Sequence, residues 1–232
     1  MATNTLIPTL DHSGEIPAYV ARPAGTPRGA IIVVQEIFGV NSGIVKKAED
    51  WAAEGYLAIA PDIFWRQEAG VELDHDIPAE FQKAIQLMLA HDFDRGVEDL
   101  KAVLAWARDE GTPRVGLVGF CMGGKIAYQM AARSTIDAAV GYYGVGLDQM
   151  LDEAANITGK LLLHIPTADE FVTAAAQAAV HQGLEGNPHI TLYDYEGLGH
   201  GFAETHGSRR HEAGAQLADE RSRAFLAEVL TA

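Results

Sequence analysis

Val115-Gly116-Leu117-Val118-Gly119-Phe120-Cys121-Met122-Gly123-Gly124 holds the only cysteine of this 232-residue chain. A short apolar run leads into a small-x-nucleophile-x-small pentapeptide, and a helical pattern follows. That is the signature of a nucleophile elbow, a strand-to-helix turn so tight that only glycine fits beside the strained central residue. Serine is the usual occupant. A thiol in its place would form a thioester intermediate and can carry charge at rest, so its reactivity must be controlled. The stretch is also compatible with a buried core cysteine in a glycine-rich turn, because free cysteine often behaves as a small hydrophobe.

The rest of the chain bears on that choice. A hydrophobic content of 48%, with 24 glycines and only nine prolines, fits a compact chain with a sizeable core. The formal net charge is −15, from 17 basic and 32 acidic residues. Nucleic acid and anionic membrane surfaces are therefore poor partners, since both require a basic patch. An anionic substrate would need cations placed locally. One cysteine excludes an intrachain disulfide. Met1 to Pro8 lacks a basic region followed by an apolar core, so it does not read as a signal peptide. Apolar runs such as Ala30 to Val34 are strand-sized and too short to span a bilayer. These features predict a cytoplasmic protein.

Short apolar runs alternate with longer amphipathic segments, which predicts a mostly parallel sheet covered by helices in one domain over residues 1–232. Strands are expected at 16–22, 30–34, 56–60, 114–118, 136–141, 161–165 and 190–195. Helices are expected at 42–54, 122–133, 171–184 and 209–230, and over 78–108 with a break near His91-Asp92. Ser42 is the expected N-cap of the first helix, and Gly55 falls just past its end. In an open α/β sheet, sites form at the carboxyl ends of the strands. Cys121 falls at such an end.

A nucleophile there needs a base, and the base needs an orienting acid. The α/β-hydrolase order is nucleophile, acid, histidine, each on a loop after a later strand. Asp169 follows the strand at 161–165. His200 follows the strand at 190–195, flanked by Gly197, Gly199 and Gly201 in a loop suited to presenting an imidazole. Alone, Asp169 could be a helix cap and His200 a surface residue; in this order at successive strand ends they read as a triad. His206 and His211 lack cysteine or carboxylate partners at ligand spacing, so no metal site is expected. Val34-Gln35-Glu36 runs a buried strand into a carboxylate. Burying Glu36 costs several kcal/mol unless it is protonated or partnered, which suggests that it faces Cys121 rather than solvent. In this fold the same loop lends an amide to the oxyanion hole. The hole donors would then be the backbone N–H groups of Ile37 and Met122, the latter aided by the helix dipole.

Gln35-Glu-Ile-Phe-Gly-Val-Asn41, Gly119-Phe-Cys-Met-Gly-Gly124, Gly141-Tyr-Tyr-Gly-Val-Gly146, Asp169 with Phe171-Val172, and Gly199-His200-Gly-Phe202 together resemble the dienelactone hydrolase family, the carboxymethylenebutenolidases. The resemblance runs across nearly the whole chain. It implies an α/β-hydrolase fold with helices on both faces of the sheet and no separate cap domain. It further implies a monomer, a Cys121-His200-Asp169 triad and no cofactor. It also implies that Glu36 pairs with the thiol at rest and helps generate the thiolate once substrate displaces it.

The chain departs from the family where arginines hold a substrate carboxylate. Glu204 stands in the His-x-Phe-x-Arg pattern and Phe81 in the second position. Losing a charge-assisted pair costs about 1.5–3 kcal/mol. Lys83, Arg209 and Arg210 are the cations that could compensate, although each also reads as a solvated helix charge.

The reading is a cysteine-dependent hydrolase of a small lactone or ester, with weak or altered preference for dienelactone. Phe38, Tyr143 and Phe202 are candidate pocket residues beside Phe81 and Glu204. A non-catalytic ligand-binding module and a redox thiol protein are the alternatives, the second weakened by the lack of a resolving cysteine.

Overall fold

The computed structural model describes residues 3–231. The chain divides into two compact units, one ending at Val115 and one starting at Gly116.

The first unit contains β1 (Thr5–Pro8), β2 (Glu15–Ala21), β3 (Ala30–Val34), α1 (Ser42–Ala53), β4 (Leu57–Pro61), α2 (Pro78–Leu89) and α3 (Phe93–Asp109). Its strands lie in the order β1-β2-β4-β3. β1 and β2 form an antiparallel hairpin, β2 is antiparallel to β4, and β3 runs parallel to β4 with Ala30 opposite Leu57. Every residue of β3 and β4 is buried, as a strand covered on both faces requires. β2 instead alternates, burying Ile16, Ala18 and Val20, so only one of its faces is covered. β1 had no clear signal in the sequence. It is four residues long, ends in proline and exposes Leu6.

The second unit opens with β5 (Val115–Phe120), whose first residue closes the preceding unit. It continues through α4 (Met122–Arg133), β6 (Ala138–Tyr142), β7 (Lys160–Pro166), α5 (Ala174–Leu184), β8 (Ile190–Tyr195) and α6 (Glu212–Leu230). β5, β6, β7 and β8 are consecutive and all parallel. A buried polar network joins this sheet to α6. His164 of β7 bonds Tyr195 through Nδ1 at 2.7 Å and Ser222 through Nε2 at 2.8 Å. The Tyr142 hydroxyl bonds Ser222 at 2.7 Å and donates to Asp219 at 2.9 Å. Burial, with Arg221 as a second cause, holds the pKa of His164 well below its ordinary value, so the ring serves as a neutral hydrogen-bonding hub.

Among the helices, the cap of one and the starts of two differ from expectation, and side-chain reach explains each; β6 starts at Ala138 rather than 136. Asn41, not Ser42, caps α1, because its Oδ1 accepts from the amides of Gly43 and Ile44 at 3.1 and 3.2 Å. Gly55 does follow that helix, with φ of 95°. α5 starts after Thr173, whose hydroxyl accepts from Ala176, so Phe171 and Val172 lie in a loop. α6 starts after His211, whose Nδ1 accepts from Gly214 at 3.1 Å. Arg209 and Arg210 are therefore loop residues, not helix charges. The expected break near His91-Asp92 separates α2 from α3, and Asp92 caps α3 by accepting from the amide of Arg95.

Candidate active site

β5 delivers Cys121 into a left-handed backbone conformation, with φ of 53° and ψ of −111°. A non-glycine residue held there costs on the order of 1–3 kcal/mol, and the surroundings impose it. The Cys121 amide donates to Tyr142 O at 3.0 Å, while its carbonyl accepts from Gly124 and Lys125 at 2.9 and 3.2 Å. The free thiol is half-buried. A Cβ on Gly119 would lie 1.9 Å from Gly123 O, too close for any relaxation short of moving the turn. Gly119→Ala is expected to destabilise the fold by more than about 3 kcal/mol, at the top of the range for overpacking. A melting curve within a few degrees of wild type would show that the turn can open instead.

His200 and Asp169 stand on the loops after β8 and β7. The His200 ring donates from Nδ1 to Asp169 Oδ2 at 2.8 Å, with both side chains almost fully buried. Asp169 Oδ1 accepts from the amide of Phe171 at 2.8 Å, so the acid is fixed through both oxygens. Gly197 and Gly201, at φ of 71° and 76°, supply the loop bends around the imidazole. His200 Nε2 is buried with no hydrogen-bond partner among the described residues, and the His200 ring interacts with Cys121. Burial pushes this imidazole toward its neutral form. The interaction with Cys121, then the bond with Asp169, outweigh burial and hold the pKa up at about 10. The interactions with Cys121 and Asp169 thus keep a proton on the ring.

Aromatic rings hold the imidazole from two sides. Tyr143 lies edge-on at 4.9 Å and Phe171 at 4.8 Å between ring centroids. Tyr143 is itself in the left-handed region, with φ of 40°, and its amide donates to His164 O. Its ring also meets Phe202 at 5.7 Å. Tyr143 and Phe202 are buried, whereas Phe171 is 47% exposed.

Glu204 is only 5% exposed and is folded into the turn that follows His200. Its amide donates to Gly201 O, and its own carbonyl accepts from Arg210 at 2.7 Å. Arg210 also donates to Glu212 at 2.8 and 3.2 Å. Arg209 lies 5.7 Å over the Phe171 ring and 4.0 Å from Glu170. The amide of Met122 opens α4, where backbone N–H groups lack partners within the helix.

The remaining candidates belong to the first unit. Glu36 follows β3 and is half-buried, intermediate between the two environments considered for it. Ile37 and Phe38 are buried, and the Phe38 ring lies 6.0 Å from that of Phe81. Gln35, which sequence reasoning passed over, is fully buried; it accepts from Ile63 N and donates to Glu36 O, both at 3.3 Å. Lys83 pairs with Glu68 at 2.6 Å on the surface. Two residues of the His200 surround were also missed. Phe171 was expected on a helix, and Glu170 carried no signal at all, because its partner is a main-chain amide about thirty positions away.

A cysteine at a tight strand-to-helix turn, with a bonded aspartate and histidine on loops after later parallel strands, is the layout of an α/β hydrolase. The model of the dienelactone hydrolase family matches residues 16–230, and the chain belongs to that family. The Azospirillum brasilense protein named "Putative carboxymethylenebutenolidase" is 41% identical over 98% of this chain and 99% of its own. The Pseudomonas putida carboxymethylenebutenolidase is 38% identical over 91% of each chain. A Klebsiella pneumoniae crystal structure described as "Putative Dienelactone Hydrolase" superposes with a TM-score of 0.81 at 30% identity, covering 97% of this chain and 100% of the other. The chain has the α/β-hydrolase fold and is a hydrolase. No helix among the described residues is long and apolar enough to cross a membrane.

Proposed function

We propose that the protein is a cysteine-dependent hydrolase that opens a small lactone or cleaves a small carboxylic ester through a thioester acyl-enzyme. The observation that carries the reading is the His200 ring, bonded to Asp169 through Nδ1 and interacting with Cys121. The Cys121 thiolate attacks the carbonyl carbon. The oxyanion is held by the amides of Met122 and, from the family order of the chain, Ile37. His200 protonates the leaving alkoxide and then activates the water that hydrolyses the thioester. Glu36 keeps the thiol quiet until substrate arrives, as the family resemblance implies. Tyr143 and Phe202 are apolar lining in this reading. The enzyme works without a cofactor, as a cytoplasmic monomer.

The substrate we favour carries no carboxylate. Lys83, Arg209 and Arg210 each have an anionic neighbour, in Glu68, Glu170 and Glu212. Glu204 stands where the family arginine would be. An anionic lactone would therefore forgo about 1.5–3 kcal/mol of charge-assisted binding, roughly 10- to 150-fold in kcat/KM. Assays on dienelactone beside a neutral aryl acetate should favour the neutral ester by such a factor. A strong preference for dienelactone would overturn the assignment of substrate charge.

A further inference from the structure

Asp169, Glu170 and Phe171 are consecutive, and each engages His200. Asp169 takes the ring Nδ1 at 2.8 Å, and Phe171 lies edge-on to the ring at 4.8 Å. Between them, Glu170 Oε2 accepts from the His200 backbone amide at 3.3 Å. The other oxygen of Glu170 pairs at 4.0 Å with Arg209, whose guanidinium lies over the Phe171 ring. The loop that carries His200 is held at Leu198 by Ala168 and at Gly197 by Thr167, which leaves the His200 amide itself to Glu170. It runs Gly197-Leu198-Gly199-His200-Gly201, and glycines lose more conformational freedom on ordering than other residues. Asp169 fixes where the ring points; nothing in that bond fixes the main chain from which the ring hangs.

We propose that Glu170 is a positioning residue for catalysis, anchoring the His200 main chain so that its ring stays aligned between Asp169 and Cys121. It touches neither substrate nor reacting atoms. Its carboxylate is half exposed, so the anchor supplies alignment more than stability. This inference rests on His200 acting as the base, as proposed above.

Glu170→Gln and Glu170→Ala separate the possibilities. Glutamine keeps a side-chain oxygen that can accept from the His200 amide but loses the charge facing Arg209. Alanine loses both. On a neutral aryl acetate, Glu170→Ala should lower kcat about three- to tenfold, the worth of one hydrogen bond, with KM within twofold. Glu170→Gln should recover most of kcat, and both variants should melt within a few degrees of wild type. Misalignment should also lower the titration midpoint of His200, followed by NMR, in the alanine variant and not in the glutamine variant. That signal needs no substrate, so it reads the anchor even if no ester is hydrolysed. Unchanged kcat and an unchanged titration in Glu170→Ala would overturn the proposal. A glutamine variant as impaired as alanine would overturn the hydrogen bond as its basis.

Discussion

Cys121→Ala should abolish ester hydrolysis, lowering kcat by at least about 10⁴-fold, because removing the nucleophile of a triad leaves only binding and oxyanion stabilisation. The variant should fold. Alanine carries a Cβ like cysteine and takes on the same left-handed backbone, so no strain is added to the elbow. Alkylating the wild-type thiol should produce the same loss, since the chain has no other cysteine to modify. Initial rates on an aryl acetate, with far-UV circular dichroism as a fold control, decide the point. Activity surviving both treatments would remove Cys121 from the mechanism. A wild type inert on every ester and lactone of a broad panel would favour a binding module.

Asp169→Asn should lower kcat by about 10³- to 10⁴-fold at neutral pH with little change in KM. The amide can turn its NH2 toward Nδ1, which then must accept, so the ring presents the wrong tautomer to Cys121. The same change should flatten the pH dependence of stability. The folded pKa of His200 is about 10 against an ordinary 6.5, so folding favours the protonated ring. Its contribution is fully present below about pH 6.5 and is lost as pH rises through 10. The gap in melting temperature between wild type and Asp169→Asn should therefore be widest near pH 6 and close toward pH 10. A gap independent of pH would mean that Asp169 does not hold a proton on His200.

The architecture was legible because its causes are local. Uniformly apolar runs such as Ala30–Val34 must be covered on both faces, and amphipathic segments must cover them. Gly119 beside Cys121 marks a turn in which backbone would collide with any side chain. Helix starts were harder to place, since neighbouring polar residues compete to cap. Asn41 over Ser42, and Thr173 over residues nearer β7, were decided by which oxygen reached the free amides.

Cation placement was not legible, and it bears directly on substrate choice. Arg209 and Arg210 read as helix residues, yet His211 caps α6 just beyond them and leaves both in the loop beside His200. Glu204 read as a charge facing the ligand, whereas the turn closed by Arg210 buries it.

The turn around Cys121, the order in which Asp169 and His200 follow it, and the parallel strands that carry all three are readable residue by residue along the chain. Those features depend on residue size and on hydrophobic period, which act over a few neighbours. The protonation of His200, the aromatic rings against it and the bond from its amide to Glu170 come instead from the packed fold. Each depends on burial and on ångström distances between residues about thirty positions apart or more, which no local pattern encodes.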